Sequence, residues 1–293
     1  WVFKSSPSTM EQRLQDGLAQ SIVLLEDTWE ADDVVEECGR RGVSCRELTV
    51  AELEVYDARA FVCESVFMCN TDLVQTKLRS LSPGLFAEVV PDTYPHELHE
   101  LLRRDIARRE LGSVQDSELP LFVKPVSNDK AFDGRVVADV EQLSDLRAEV
   151  CDLLHGRLGD ASEAEVAALQ VYAAAPVHFQ AEFRLFVGGG RMYCGAKNES
   201  YLIRRDADVE AKDLAPPEDF MRKVVEACPS DVFWVVDVGF MVQPTGSAVW
   251  AVVEVNPPFS LDDHGLPIKP YMDYCIDACA WIKSKAFRHT AHE

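Results

Sequence analysis

Two apolar stretches decide how this sequence is read: Trp234-Val235-Val236-Asp237-Val238-Gly239 and Val252-Val253-Glu254-Val255-Asn256-Pro257-Pro258. Each has the composition of a buried strand, yet each carries a carboxylate. The turn Pro244-Thr245-Gly246 separates the runs Val232–Val242 and Ala248–Val255, so the two are expected to pair as a hairpin. Residues two apart on a strand share a face, so Glu254 and Asn256 project together, and pairing brings Asp237 to them. An ionised Asp in so apolar a run needs compensation. Two carboxylates and an amide oxygen are hard ligands suited to magnesium, which usually keeps waters and substrate phosphates in its shell.

Upstream lies a longer strand, Gln180–Val187, containing Glu182-Phe183-Arg184-Leu185-Phe186-Val187. Alternation puts Glu182 and Arg184 on one face and Phe183, Leu185 and Val187 on the other. Such a pair serves equally as a surface salt bridge. Gly188-Gly189-Gly190 reads as a hairpin turn into Arg191–Ala196. Further upstream, Leu121–Lys124 is a strand ending in Lys-Pro, followed by the polar loop Val126–Gly134 and a strand at Arg135–Ala138. Short polar residues and Gly134 let backbone N–H groups approach phosphate oxygens, and Lys124 adds a point charge. The spacing of a P-loop is absent. A helix with the stripe Leu143, Leu146, Val150, Leu153 and Leu158 follows, then a strand at Leu169–Ala173 and, at the end, an amphipathic helix over Tyr271–Ile282. From residue 113 onward the pattern is an antiparallel α+β unit.

The first 112 residues read differently. Ser21–Asp27 is a buried strand and Trp29–Arg41 a helix stopped by Gly42. Short strands are expected at Val43–Val50, Ala60–Cys63 and Leu85–Val90, and Leu98, Leu101, Leu102 and Ile106 repeat at helical spacing. The pattern implies a small α/β layer on a parallel sheet. The division is therefore 1–112, an N-terminal α/β domain, and 113–293.

With 293 residues, 47% hydrophobic and 27% charged, the chain is an ordinary globular one. Its charge is −21, from 29 basic and 50 acidic residues. Both sides of residue 112 are acidic, at −9 and −12, which argues against a nucleic-acid partner. No uninterrupted apolar run is long enough for a membrane span. The start, Trp1-Val2-Phe3-Lys4, reads as a processed end or a cut boundary. Nine scattered cysteines, an odd number with no CxxC pair, point to reduced thiols and a cytoplasmic protein. His96 and His99 share a helical face but lack the ligand company of a zinc site.

Taken in order, Phe122-Val123-Lys124-Pro125, the loop ending at Gly134, Glu182-Phe183-Arg184-Leu185-Phe186-Val187, Val236-Asp237-Val238-Gly239 and Val253-Glu254-Val255-Asn256-Pro257 resemble the ATP-grasp superfamily, most closely its RimK-like branch. The resemblance covers roughly residues 113–285. It implies an ATP-grasp fold of antiparallel sheets and helices behind a small α/β domain. It also implies an ATP- and magnesium-dependent ligase that joins a small-molecule or peptide carboxylate to an amine through an acyl phosphate. By the same resemblance Asp237, Glu254 and Asn256 hold magnesium between ATP phosphates. Lys124 contacts phosphate and the adenine side, and Lys130 and the loop to Gly134 cover the phosphates. Gln170-Val171-Tyr172-Ala173 forms the hinge whose backbone reads adenine, and Glu182 binds the ribose hydroxyls. Arg184 stabilises transferred charge, and Lys197 is a further catalytic candidate. The family expects a basic residue upstream, for which Lys77, Arg103, Arg104, Arg108 and Arg109 compete. Substrate is expected near Pro257–Gly265, with Asp262 or Asp263 for an amino group and His264 close by. Assembly chaperones for translation initiation factor of the cell-division-cycle type carry a similar Glu-Phe-Arg strand. They typically have Asp where this sequence has Glu254. A catalytically silent nucleotide-binding protein is the third alternative.

Overall fold

The structure, a computed structural model, describes residues 22–26, 31–126, 132–158, 162–194, 201–206, 215–242, 246–260 and 266–290. The N-terminal part runs β1 (Ile22–Glu26), α1 (Ala31–Arg41), β2 (Ser44–Leu48), α2 (Val50–Val55), α3 (Ala58–Glu64), β3 (Ser65–Met68), α4 (Thr71–Leu81) and α5 (Pro83–Val89). Both β2 and β3 pair parallel to β1, in the order β2-β1-β3. The expected parallel α/β layer is present.

Three local expectations are corrected. Ala60–Cys63 lies in α3, because the Asp57 side chain accepts from the Ala60 amide and starts a helix there. Leu85–Val90 lies largely in α5, where Ser82 caps the Leu85 amide and Pro83 occupies the first turn. Short apolar runs fit either state, and the cap residue three positions earlier decides. The helical stripe through Leu98 and Leu101 ends with α6 (His99–Leu102), since Arg103 takes a left-handed conformation at φ 55°. Ile106 then opens a strand.

That strand is β4 (Ile106–Glu110). It is followed by β5 (Leu121–Pro125), β6 (Arg135–Val137), α7 (Val140–Leu158), α8 (Glu163–Ala168) and β7 (Gln170–Ala174). These strands form an antiparallel sheet in the order β4-β7-β5-β6. After it come β8 (His178–Gly188), β9 (Arg191–Tyr193), β10 (Tyr201–Arg205), α9 (Glu218–Ala227), β11 (Phe233–Val242), β12 (Ala248–Asn256) and α10 (Ile268–Thr290). The second antiparallel sheet has the order β10-β8-β11-β12, with β9 paired to β8. Gly189 and Gly190 make the β8–β9 turn with φ of 61° and 72°, a conformation open to glycine.

The large sheet is buried on both faces. Phe183, Leu185, Val187, Val236, Val238 and Val252 pack into one core with Phe220 and Val224 of α9. Phe186, Phe233 and Val235 turn the other way and share a core with Tyr271 and Tyr274 of α10 and with the N-terminal layer. A long helix thus ties the parallel layer to the large sheet. Among the described residues no helix is long and apolar enough to cross a membrane.

Candidate functional site

Three strands place the central side chains in one row. Arg184 on β8 stands opposite Asp237 on β11, and Asp237 stands opposite Glu254 on β12. Directly paired residues share a face, so the three side chains line up across the sheet. The pairing of β11 and β12 slips by one between Asp237 and Val238: Asp237 pairs with Glu254, but Val238 pairs with Val252. Val253 is the extra residue of a β-bulge. Its effect is on parity. Val252 and Val255 both enter the core shared with α9, whereas uninterrupted alternation would separate them. Glu254 and Asn256 are thereby turned onto the face of Asp237.

The row is tightly bonded. Arg184 donates from Nε to Asp237 Oδ1 (2.8 Å) and from Nη2 to Oδ2 (2.9 Å), the two-point pairing a planar guanidinium favours. The side chains are only 13% and 6% exposed. Asn256 Nδ2 donates to Asp237 Oδ2 at 2.9 Å and to Glu254 Oε1 at 3.5 Å. From the smaller sheet, Lys124 on β5 reaches across and donates to Glu254 Oε2. Burial outweighs the Arg184 pairing at Asp237 and holds its carboxyl up to about 6. Burial also pushes Glu254 up, but the Lys124 ammonium overrides it and the carboxyl ends below its ordinary value. Lys124 mirrors this: burial lowers it, Glu254 reverses the effect, and the ammonium ends raised.

Two carboxylates and an amide therefore converge within hydrogen-bond distance between two cations. Asn256 can present either its nitrogen or its oxygen by turning the amide. The set fits a hard divalent cation that completes its shell with phosphate and water. Among the described residues no group of three His, Cys, Asp or Glu could hold a metal, so a soft or all-side-chain site is not built here.

The remaining candidates fall as follows. Glu182 is half-buried on the Arg184 side of β8 and opposite Gly239. Gly134 lies against Lys124: a Cβ there would meet Phe122 Cζ at 2.9 Å and the Lys124 stem at 3.2 Å. Gln170 begins β7, and its carbonyl accepts from the Val126 amide at 3.0 Å. Tyr172 is buried, with its hydroxyl donating to Asp92 and its ring edge-on to Tyr94 at 4.8 Å. Since β7 is flanked by β4 and β5, the backbone of 171–174 is engaged in ladders and 175–177 lie outside both. Lys130, Lys197, Asp262, Asp263 and His264 lie outside the described residues.

Of the upstream basic candidates, Lys77 donates to the backbone carbonyls of Glu54 (2.7 Å) and Tyr56 (2.6 Å), a structural task within the N-terminal layer. Arg109 pairs with Glu118. Arg104 comes to the site's edge. Its guanidinium donates to the Val252 carbonyl (3.0 Å) and the Val253 carbonyl (2.7 Å), and lies over the rings of Phe179 (5.2 Å) and Tyr94 (5.8 Å). Sequence reading did not single out the strap Pro91-Asp92-Thr93-Tyr94-Pro95, which runs beside β12: the Val255 amide donates to the Thr93 carbonyl at 2.9 Å. Its signal was an Asp and a Tyr held between two prolines.

Known proteins share this geometry's fold. The profile of an ATP-grasp domain, the second family of its clade, matches residues 101–274. No curated protein matches the chain. Among solved structures, N5-carboxyaminoimidazole synthase from Aspergillus clavatus, in complex with ADP and 5-aminoimidazole ribonucleotide, is 10% identical over 89% of this chain and 78% of its own, with a TM-score of 0.50. D-alanine–D-alanine ligase from Bacillus anthracis, complexed with ATP, is 16% identical over 90% of this chain and 99% of its own, at 0.47. The ATP-grasp ligase PsnB, complexed with a minimal precursor, is 14% identical over 91% and 99%, at 0.46. With the mixed α/β architecture and the family profile covering more than half of the sequence, the chain belongs to the ATP-grasp family.

Proposed function

We propose that the protein is an ATP- and magnesium-dependent ligase that joins a carboxylate to an amine and releases ADP and phosphate. The observation that carries this reading is the row Arg184, Asp237, Glu254 with Asn256, met from the facing sheet by Lys124. Asp237, Glu254 and Asn256 would hold the metal, which when bound neutralises and orients the nucleotide phosphates. Lys124 turns from Glu254 to phosphate, with Lys130 and the loop to Gly134 above it. Gln170, Tyr172 and the backbone running on to 177 line the adenine, and Glu182 takes the ribose hydroxyls.

The substrate carboxylate attacks the terminal phosphorus and ADP leaves; the amine then attacks the acyl carbon and phosphate leaves. Both steps depend on alignment and charge stabilisation more than on a side-chain nucleophile. Arg184 is the group suited to the oxygens of the transferred phosphoryl, since its fork already accommodates two oxygens of Asp237. Lys197 is a second candidate for that task. The acceptor is a small molecule or a peptide, entering near Pro257–Gly265. We also read residues 1–112 and 113–293 as two units, with β4 extending the sheet of the second toward its N-terminal side. Nine free thiols are in keeping with a cytoplasmic protein.

Incubation with ATP, magnesium and pooled amino acids and peptides, read by ADP, phosphate and new amide masses, tests the reading. ADP equal to a new amide supports it. ATP bound without turnover, together with specific capture of a protein partner, favours an assembly chaperone instead.

A further inference from the structure

The β-bulge at Val253 needs a support that the ligand set alone does not supply. β12 is an edge strand, and a bulge on an edge carries carbonyls that the neighbouring strand does not take up. Here the Val252 and Val253 carbonyls, either side of the slip in register, accept from the two Nη atoms of Arg104. The next outward amide, that of Val255, is taken by the Thr93 carbonyl. The guanidinium is itself fixed between the faces of Phe179 and Tyr94. A rigid two-pronged donor thus spans the one residue whose insertion decides which way Glu254 and Asn256 point.

We infer that Arg104 is a positioning residue: by bridging the carbonyls of Val252 and Val253 it holds the bulge that turns Glu254 and Asn256 toward Asp237. The inference rests on reading those three as metal ligands. Arg104 acts through the backbone of the strand that carries two of them. Lysine cannot reproduce the role, because one ammonium on a flexible stem does not fix two carbonyls at once.

The test compares the wild type with Arg104→Met and Arg104→Lys, each checked for native circular dichroism. Two quantities are read: Mn²⁺ affinity in the presence of a non-hydrolysable ATP analogue, by electron paramagnetic resonance, and hydrogen exchange of the amides of residues 253–255. Arg104→Met is expected to weaken Mn²⁺ about tenfold, as loss of a group that orients metal ligands does, and to speed exchange at these amides at least about tenfold. Arg104→Lys falls between it and the wild type. Folded Arg104→Met with unchanged Mn²⁺ affinity overturns the inference, whether or not exchange rises. If Arg104→Met does not fold, Arg104→Lys decides: wild-type values in both measurements overturn it. Failure of the wild type to bind Mn²⁺ with the nucleotide would instead remove the metal-ligand reading, and unchanged exchange in the variants would then remove the bulge support separately.

Discussion

Glu254 stands directly opposite Asp237 across β11 and β12, although Val252, two residues earlier on the same strand, faces the opposite core. One inserted residue separates a hydrophobic face from a polar one, and the polar one gathers Arg184, Asp237, Glu254 and Asn256. The consequences can be measured one by one.

Asp237 and Arg184 form a nearly buried pair joined by two hydrogen bonds. Removing the carboxylate alone leaves a desolvated guanidinium facing an apolar strand. Asp237→Ala is therefore expected to lower unfolding free energy by roughly 3 kcal/mol. The double variant Asp237→Leu with Arg184→Met should recover most of the loss. Urea denaturation of these variants beside the wild type checks both statements, and a double variant no better than Asp237→Ala contradicts them.

Gly239 lies opposite Glu182 in the same sheet. A Cβ there would meet Phe179 Cδ1 at 2.5 Å, Val253 Cγ2 at 3.0 Å and the Ala181 carbonyl at 3.1 Å. Two of these neighbours are backbone or bulge, so little can yield. Gly239→Ala should cost about 1–3 kcal/mol by overpacking, seen as a lower urea midpoint at unchanged slope.

Gly134 presses on the Lys124 stem. Gly134→Ala should displace Lys124 from Glu254 more than it harms the fold. The expected outcome is a several-fold rise in the KM for ATP with a stability loss of about 1 kcal/mol. Nucleotide titration beside thermal denaturation separates the two effects, and a wild-type KM would show that Lys124 does not depend on this packing.

Glu88 on α5 is held down to about 2, first by its hydrogen bond from Lys285 and also by His289 and Arg288, all on α10. A carboxylate depressed in the fold contributes stability that is fully present above its unfolded value, about 4.3, and is lost as pH falls toward 2. The stability gap between wild type and Glu88→Gln should thus be complete above about pH 5 and close toward pH 2. Its size is of order 1 kcal/mol, because solvent screens these half-exposed partners. Denaturation midpoints in neutral buffer and in acid near the lower end of that window measure it.

Much of this site was legible in the sequence because strand alternation is local. The spacing of Glu254 and Asn256 put them on one face, and an Asp inside an apolar run demanded a partner, which is Arg184. The bulge was not legible, since nothing in Val252–Asn256 marks Val253 as the extra residue. Its support, Arg104, lies 148 residues from Val252. Ala60–Cys63 and Leu85–Val90 read as strands because short apolar runs suit either state. Asp57 and Ser82-Pro83, the capping signals, settled them as helix. β4, with Arg108, Arg109 and Glu110, has too much charge to announce itself, and it forms by pairing with β7.

Whether Asp237, Glu254 and Asn256 bind a metal that carries the nucleotide phosphates is answered by calorimetric titration of a non-hydrolysable ATP analogue. The titration is run with and without magnesium, in the wild type and in Glu254→Gln. Magnesium is expected to tighten binding at least about tenfold in the wild type, and this gain should disappear in Glu254→Gln, as loss of a ligand to the metal requires. An equal magnesium effect in both proteins would contradict the assignment.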